Sequence, residues 1–152
     1  MISQTAEYAL RAMVYLAIKG AGATGEEIAD VTKVPRGYLA KVLQELSREK
    51  LLNSQRGIGG GFVLSRDASK ISILDVINAV DPIVRLVSCP LELEAHALVL
   101  CPLHKRLSAA TAQVEKAFAE STLSELVAES KAPECTSFPL RNSTPCRHLS
   151  PE

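Results

Sequence analysis

The sequence predicts a mainly α-helical fold with one small β-hairpin, a winged helix-turn-helix domain followed by a long C-terminal dimerisation helix. Three observations predict it. A basic segment with helical spacing, residues 36–50, runs directly into two short stretches, Leu51–Gln55 and Phe62–Ser65, whose apolar residues alternate or cluster as in strands. Between them lies Arg56-Gly57-Ile58-Gly59-Gly60-Gly61, with four glycines in five positions; with no Cβ in the way, such a backbone can take positive φ and expose its amides. The chain is also 47% apolar but only 4% aromatic, so its core must be aliphatic, which suits helices. Helix, strand, glycine-rich tip and strand is the order of a winged helix-turn-helix, whose recognition helix enters a major groove while the wing reaches the adjacent minor groove. A phosphate-binding loop is excluded: no Lys-Ser or Lys-Thr follows the glycines, and a strand rather than a helix comes next.

Taken in order, residues 4–19 carry Ala6, Ala9, Leu10, Met13, Val14, Ala17 and Ile18 at the spacing of one buried helical face. Ser3 caps this helix, and Gly20 to Gly25 end it in a small-residue loop. Thr24-x-x-Glu27 is a capping box for a short second helix reaching about Lys33, with Glu27 and Asp30 on its solvated face. Pro35 suits the first turn of the third helix, which extends to about Lys50 with Leu39, Val42, Leu43 and Leu46 inward. Arg36, Gly37, Tyr38 and Lys41 are left outward near its N-terminus, the end from which side chains reach base edges and amides favour phosphate. Arg36 and Lys41 can contact guanine or phosphate, and Tyr38 is either half-buried or a phosphate contact through its hydroxyl.

Beyond the hairpin, Asp67-Ala68-Ser69-Lys70 is a polar turn, and Ile73, Leu74, Ile77 and Val80 mark a helix stopped by Asp81-Pro82. Residues 81–102 lack a regular apolar period and read as an irregular sensor or ligand loop. From Leu103 to Glu120 a long helix returns, with Leu107, Ala110, Val114, Ala117 and Phe118 as a dimer seam or a packing face. Thr122-x-x-Glu125 opens a last short helix, Leu123–Glu129. The organisation is therefore a DNA-binding domain at 1–80, the loop at 81–102, dimerisation helices at 103–130 and a disordered tail at 131–152, rich in Pro, Ser and Thr.

The formal net charge is zero, but its distribution is not even. Residues 31–70 hold eight Lys or Arg against three Asp or Glu, whereas residues 71–152 hold seven against ten. A basic segment centred on the wing is the electrostatic footprint of a polyanion. No apolar run is long enough to span a bilayer and no secretory signal is visible, which places the protein in the cytoplasm. Its four cysteines are then reduced thiols or ligands rather than disulfides. Cys89 and Cys101, with His104 one helical turn further on, can supply ligands for a soft metal or a 2Fe–2S cluster. A fourth donor is open among Glu92, Glu94, His96 and Glu7 of a partner subunit. Small buried hydrophobes are the competing reading of the two cysteines. Cys135 and Cys146, near His148, have no CxxC spacing and read as exposed thiols.

Ala6-Glu7-Tyr8-Ala9-Leu10-Arg11-Ala12-Met13, Gly37-Tyr38-Leu39-Ala40-Lys41-Val42-Leu43 and Arg56-Gly57-Ile58-Gly59-Gly60-Gly61-Phe62-Val63-Leu64 carry a resemblance over half the chain. On these motifs the protein closely resembles the IscR/NsrR/RirA type of bacterial winged-helix regulators. The resemblance implies homodimers with crossing long helices, palindromic double-stranded operators and, in many members, a 2Fe–2S cluster near the dimer interface. It implies DNA contacts from the recognition-helix positions Arg36, Tyr38 and Lys41 and from the wing residue Arg56; Gly37, Gly57, Gly59 and Gly60 are expected beside them on the DNA-binding surface. Cluster-binding relatives commonly offer three cysteines where this chain has Cys89 and Cys101, and some use a Glu in the first helix, where Glu7 stands. The leading expectation is a dimeric transcriptional regulator, a repressor, with a cluster, metal or thiol sensor. The alternatives are a regulator with no cofactor, or a metal-binding or electron-carrying protein without DNA binding. No nucleophile, base and orienting group stand at a coherent spacing, so no enzyme is expected.

Overall fold

In a computed structural model, residues 2–55, 57, 60–88 and 100–130 are described. Arg56, Gly59, Cys89, Glu92, Glu94, His96 and the tail 131–152, with Cys135, Cys146 and His148, lie outside them. The elements are α1 (Gln4–Lys19), α2 (Gly25–Thr32), α3 (Arg36–Arg48), β1 (Leu52–Gln55), β2 (Gly61–Leu64), α4 (Ile73–Val80), α5 (Pro102–Glu120) and α6 (Leu123–Ser130).

Helix α1 is the hub. Ser3 caps it by accepting from the Ala6 amide, and Gly20 closes it at φ 63°. The sequence predicts one buried face, yet Ala12, Tyr15 and Leu16 are buried as well. The reason is its position: α2, α3, α4, α6 and β2 all pack against it. The small side chains of Ala6, Ala9 and Ala12, each fully buried, let those neighbours approach closely. Met13, Leu16, Ile28, Leu39, Leu43, Leu46, Ile71 and Leu123 fill the aliphatic core.

Helix α3 stops at Arg48, two residues short of the expected end. Lys50 adopts φ 57°, and the Leu51 amide reaches back to the Leu46 carbonyl at 2.9 Å, a left-handed closure made here by Lys where glycine is the usual signal. Helix α2 likewise ends at Thr32, with Lys33 at φ 58°. The hairpin is antiparallel, pairing Leu52 with Leu64 and Gln55 with Gly61.

The loop between α1 and α2 does more than connect. Ala23 and Phe62 exchange both backbone hydrogen bonds, at 3.0 and 2.8 Å, so the loop pins β2 as a minimal third strand. Gly61, at φ 150°, makes this possible: a Cβ there would lie 2.3 Å from the Ala23 carbonyl oxygen. Further on, Ser72 and Asp75 form a reciprocal capping box for α4, and Thr122 and Glu125 form another ahead of α6. A Ser72–Thr122 bridge joins the two starts, and Leu123 is completely buried. The chain thus leaves the core along α5 and comes back to it at α6.

Candidate nucleic-acid interface

Helix α3 divides cleanly by side-chain type. Leu39, Val42, Leu43 and Leu46 are buried, while Arg36, Gly37, Tyr38, Ala40, Lys41, Gln44 and Arg48 are exposed. Pro35 stands at the N-cap with no side-chain cap bond; its carbonyl accepts from the Tyr38 amide at 3.0 Å, so it is the Arg36 and Gly37 amides that are left to other acceptors. Gly37 faces open space, with nothing within 4 Å of where a Cβ would stand. Gly37 and Ala40 therefore make a low centre on the outward face, which lets a helix lie close to whatever it meets. Ala40 and Gln44 escaped the sequence reading. Their signal was the four-residue step from Arg36 through Ala40 to Gln44, which keeps one outward stripe in register.

The two flanks of that face are held differently. On the α2 side, one terminal nitrogen of Arg36 lies 2.7 Å from Glu26 Oε1 and the other 3.1 Å from Asp30 Oδ1. Asp30, expected as solvated face, is thus an ion-pair partner. Hydrogen bonding to Asp30 and the charge of Glu26 raise the Arg36 pKa above its ordinary value. On the α1 side, the Tyr38 hydroxyl bonds the Thr5 hydroxyl. Its ring stands edge-on to Tyr8, with centroids 5.6 Å apart, while Arg11 lies over Tyr8 and pairs with Glu7. Tyr38 remains 42% exposed, with its ring packed against Tyr8 and its hydroxyl on Thr5. Glu27, also expected in solvent, accepts from the Tyr15 hydroxyl at 2.7 Å and from Lys19, which locks α2 to α1.

The hairpin tip closes tightly: the Gly60 amide donates to the Gly57 carbonyl at 2.8 Å, and Gly57 takes φ 111°, a conformation that favours glycine. The flanking Arg56 and Gly59 lie outside the described residues.

Of the expected ligands, Cys101 and His104 come together at the start of α5, with Sγ 3.2 Å from Nδ1. Cys101 is the N-cap residue and half-buried. Glu7 is engaged with Arg11, and among the described residues no three His, Cys, Asp or Glu side chains form a metal-binding group. Cys101 and His104 would be two of the four protein ligands that a 2Fe–2S cluster takes; Cys89 lies outside the described residues.

A helix with a polar outward face beside a glycine-tipped hairpin, both mounted on one aliphatic core, defines a winged-helix protein. Residues 2–129 match the family model "Rrf2: Iron-dependent Transcriptional regulator". A protein of Aquifex aeolicus (strain VF5) described as an HTH-type transcriptional regulator is 34% identical over 131 residues, covering 84% of this chain and 91% of that one. Staphylococcus aureus CymR in its oxidised form is 27% identical, with a TM-score of 0.65 over 84% of this chain and 95% of that one. Two further structures share the fold. CymR (YrzC), the global cysteine regulator of B. subtilis, gives a TM-score of 0.70 at 24% identity, covering 85% of this chain and 97% of that one. T. potens IscR gives 0.71 at 19%, covering 86% and 88%. The chain belongs to the Rrf2 family. It is a DNA-binding transcriptional regulator and not an enzyme, and among the described residues no helix is long and apolar enough to cross a membrane.

Proposed function

We propose that two copies of the chain bind a palindromic operator, each laying the outward face of α3 in a major groove and its hairpin tip in the neighbouring minor groove. The observation that carries this reading is α5. Its 19 residues include none that is buried, and Leu103, Leu107 and Val114 are 62%, 47% and 46% exposed. Val114 also lines an open groove of about 790 Å³ with Ile2, Ile77, Val84 and Phe118. An apolar helix face continuous with an apolar groove is suited to a second copy of itself, related by a two-fold axis. That axis would set the two recognition helices about ten base pairs apart. In this reading Gly37 and Ala40 give close approach, Lys41 and Arg56 bind phosphate, Gly57, Gly59 and Gly60 shape the tip, and the dimer represses by covering the promoter.

Sensing is assigned to the loop that ends at Cys101. Its thiol and the His104 imidazole already touch, and Cys89 and Glu7 of a second copy are the donors that would complete a metal or cluster site. Whatever binds there regulates only by favouring one spacing of the recognition helices over another.

The test is to select sequences from a pool of randomised duplexes and to weigh the protein by native mass spectrometry under anaerobic conditions. A dimer that enriches an inverted repeat is expected, and Leu107→Glu should give a monomer with sharply weakened operator binding. A monomer at micromolar concentration, or a selection that enriches no sequence, rejects the proposal.

A further inference from the structure

We propose that Arg36 reads a guanine edge rather than a phosphate, with Glu26 and Asp30 as its positioning residues, so that each half-site contains one required G·C pair. The inference rests on the reading that α3 enters the major groove, and it decides between the two roles open to Arg36 on sequence alone.

Arg36 is the first residue of α3, and its side chain is 61% exposed while held by two carboxylates at 2.7 and 3.1 Å. Those carboxylates stand one turn apart on α2, so a single helix face presents both. Stability does not account for the arrangement, because exposed ion pairs contribute little to it. Electrostatics make it costly on a surface that must meet a polyanion: one guanidinium and two carboxylates leave the spot net negative. A phosphate arriving there is attracted by one charge and repelled by two at similar range.

A base edge meets no such penalty. Guanine O6 and N7 are neutral acceptors, and the cytosine amino group of the same pair is a donor that a carboxylate can accept. The trio therefore matches both halves of a G·C pair and neither needs to leave. A guanidinium carries five N–H groups in one plane. The two ion pairs leave at least one donor on each terminal nitrogen, together with Nε–H, and they restrict the plane before DNA arrives, which lowers the ordering cost on binding. Lys41 offers the contrast. It is exposed on the same helix and makes no ion pair among the described residues, the condition of a point charge free for phosphate.

The experiment uses full-length protein and the duplex selected above. Fluorescence anisotropy is measured for the operator and for each single base-pair replacement, over a range of salt. Arg36→Ala should lose roughly tenfold discrimination at one G·C position per half-site while leaving the slope of log K against log salt nearly unchanged. Arg36→Lys, which keeps the charge but not the fork, should lose the same discrimination, and this guards against a folding defect in the alanine variant. The double variant Glu26→Gln/Asp30→Asn should bind random duplex more tightly, with a steeper salt slope, because the freed guanidinium can then reach phosphate. The proposal is overturned if Arg36→Ala weakens all sequences alike and lowers the slope by about one per subunit. It is equally overturned if Arg36→Ala changes nothing. A wild-type protein that enriches no sequence removes the groove reading itself, an outcome distinct from these two.

Discussion

Helices α1 and α5 are close in length, 16 and 19 residues, and both carry apolar side chains along their length. In α1 seven residues are buried; in α5 none is. Composition accounts for part of this, since α1 is apolar at 11 of its 16 residues and α5 at 9 of its 19. Position accounts for the rest. Helix α1 packs against α2, α3, α4, α6 and β2, whereas α5 packs chiefly against α4 and leaves Leu103, Leu107 and Val114 in contact with solvent. A helix in the middle of a core is stabilised by what the same chain supplies. One on the flank leaves part of its apolar face uncovered by the described residues.

Substitutions along the two helices should break or sharpen that contrast. The largest effect belongs to the hub: Met13→Ala removes a fully buried side chain and should cost about 2–5 kcal/mol in urea unfolding. A loss under about 1 kcal/mol would mean that α1 is less enclosed than it looks. Next is Gly61→Ala, where a Cβ would collide with the Ala23 carbonyl; backbone strain of this type costs on the order of 1–3 kcal/mol. The same substitution should speed amide exchange at Ala23 and Phe62, and unchanged exchange would show that the third strand does not depend on glycine. Smaller again is Thr122→Ala, which deletes the cap at the re-entry of α6 and should cost about 1 kcal/mol. Leu107→Ala should be the mildest for the fold of one chain, within roughly 0.5 kcal/mol, while measurably weakening self-association in sedimentation. A large loss of chain stability there would place α5 in the core after all.

The hub also sets an alkaline limit. Burial, then the hydrogen bond to Glu27, then the Glu27 charge push the Tyr15 hydroxyl from an ordinary 10.0 up to about 12. The folded state therefore favours the neutral phenol. Stability from this source is complete below pH 10 and declines as the unfolded chain ionises between pH 10 and about 12. Tyr15→Phe should flatten that part of the thermal-midpoint profile, and an unaltered decline would assign it to other groups.

How much of this was legible follows from the kind of signal each feature leaves. Helix α3 and the hairpin were readable because Leu39, Val42, Leu43 and Leu46 keep a helical period and the glycine run interrupts two apolar stretches. The end of α3 was not, because Lys50 closes it in a left-handed turn for which glycine is the expected marker. The outward set of Arg36, Gly37, Tyr38 and Lys41 was likewise visible from position alone. Their partners were hidden: Glu26, Asp30, Thr5 and Tyr8 lie on other helices, and no local spacing links them to α3.

The sequence by itself determined the elements, the aliphatic nature of the core and the face that α3 turns outward, because helical period and turn chemistry are properties of neighbouring residues. Only the tertiary structure decided that the α1–α2 loop would brace the wing through Ala23, that α6 would return to the hub, and that two carboxylates would hold Arg36. Those outcomes depend on how helices far apart in the chain come to lie side by side, and packing against a common core is what fixes that.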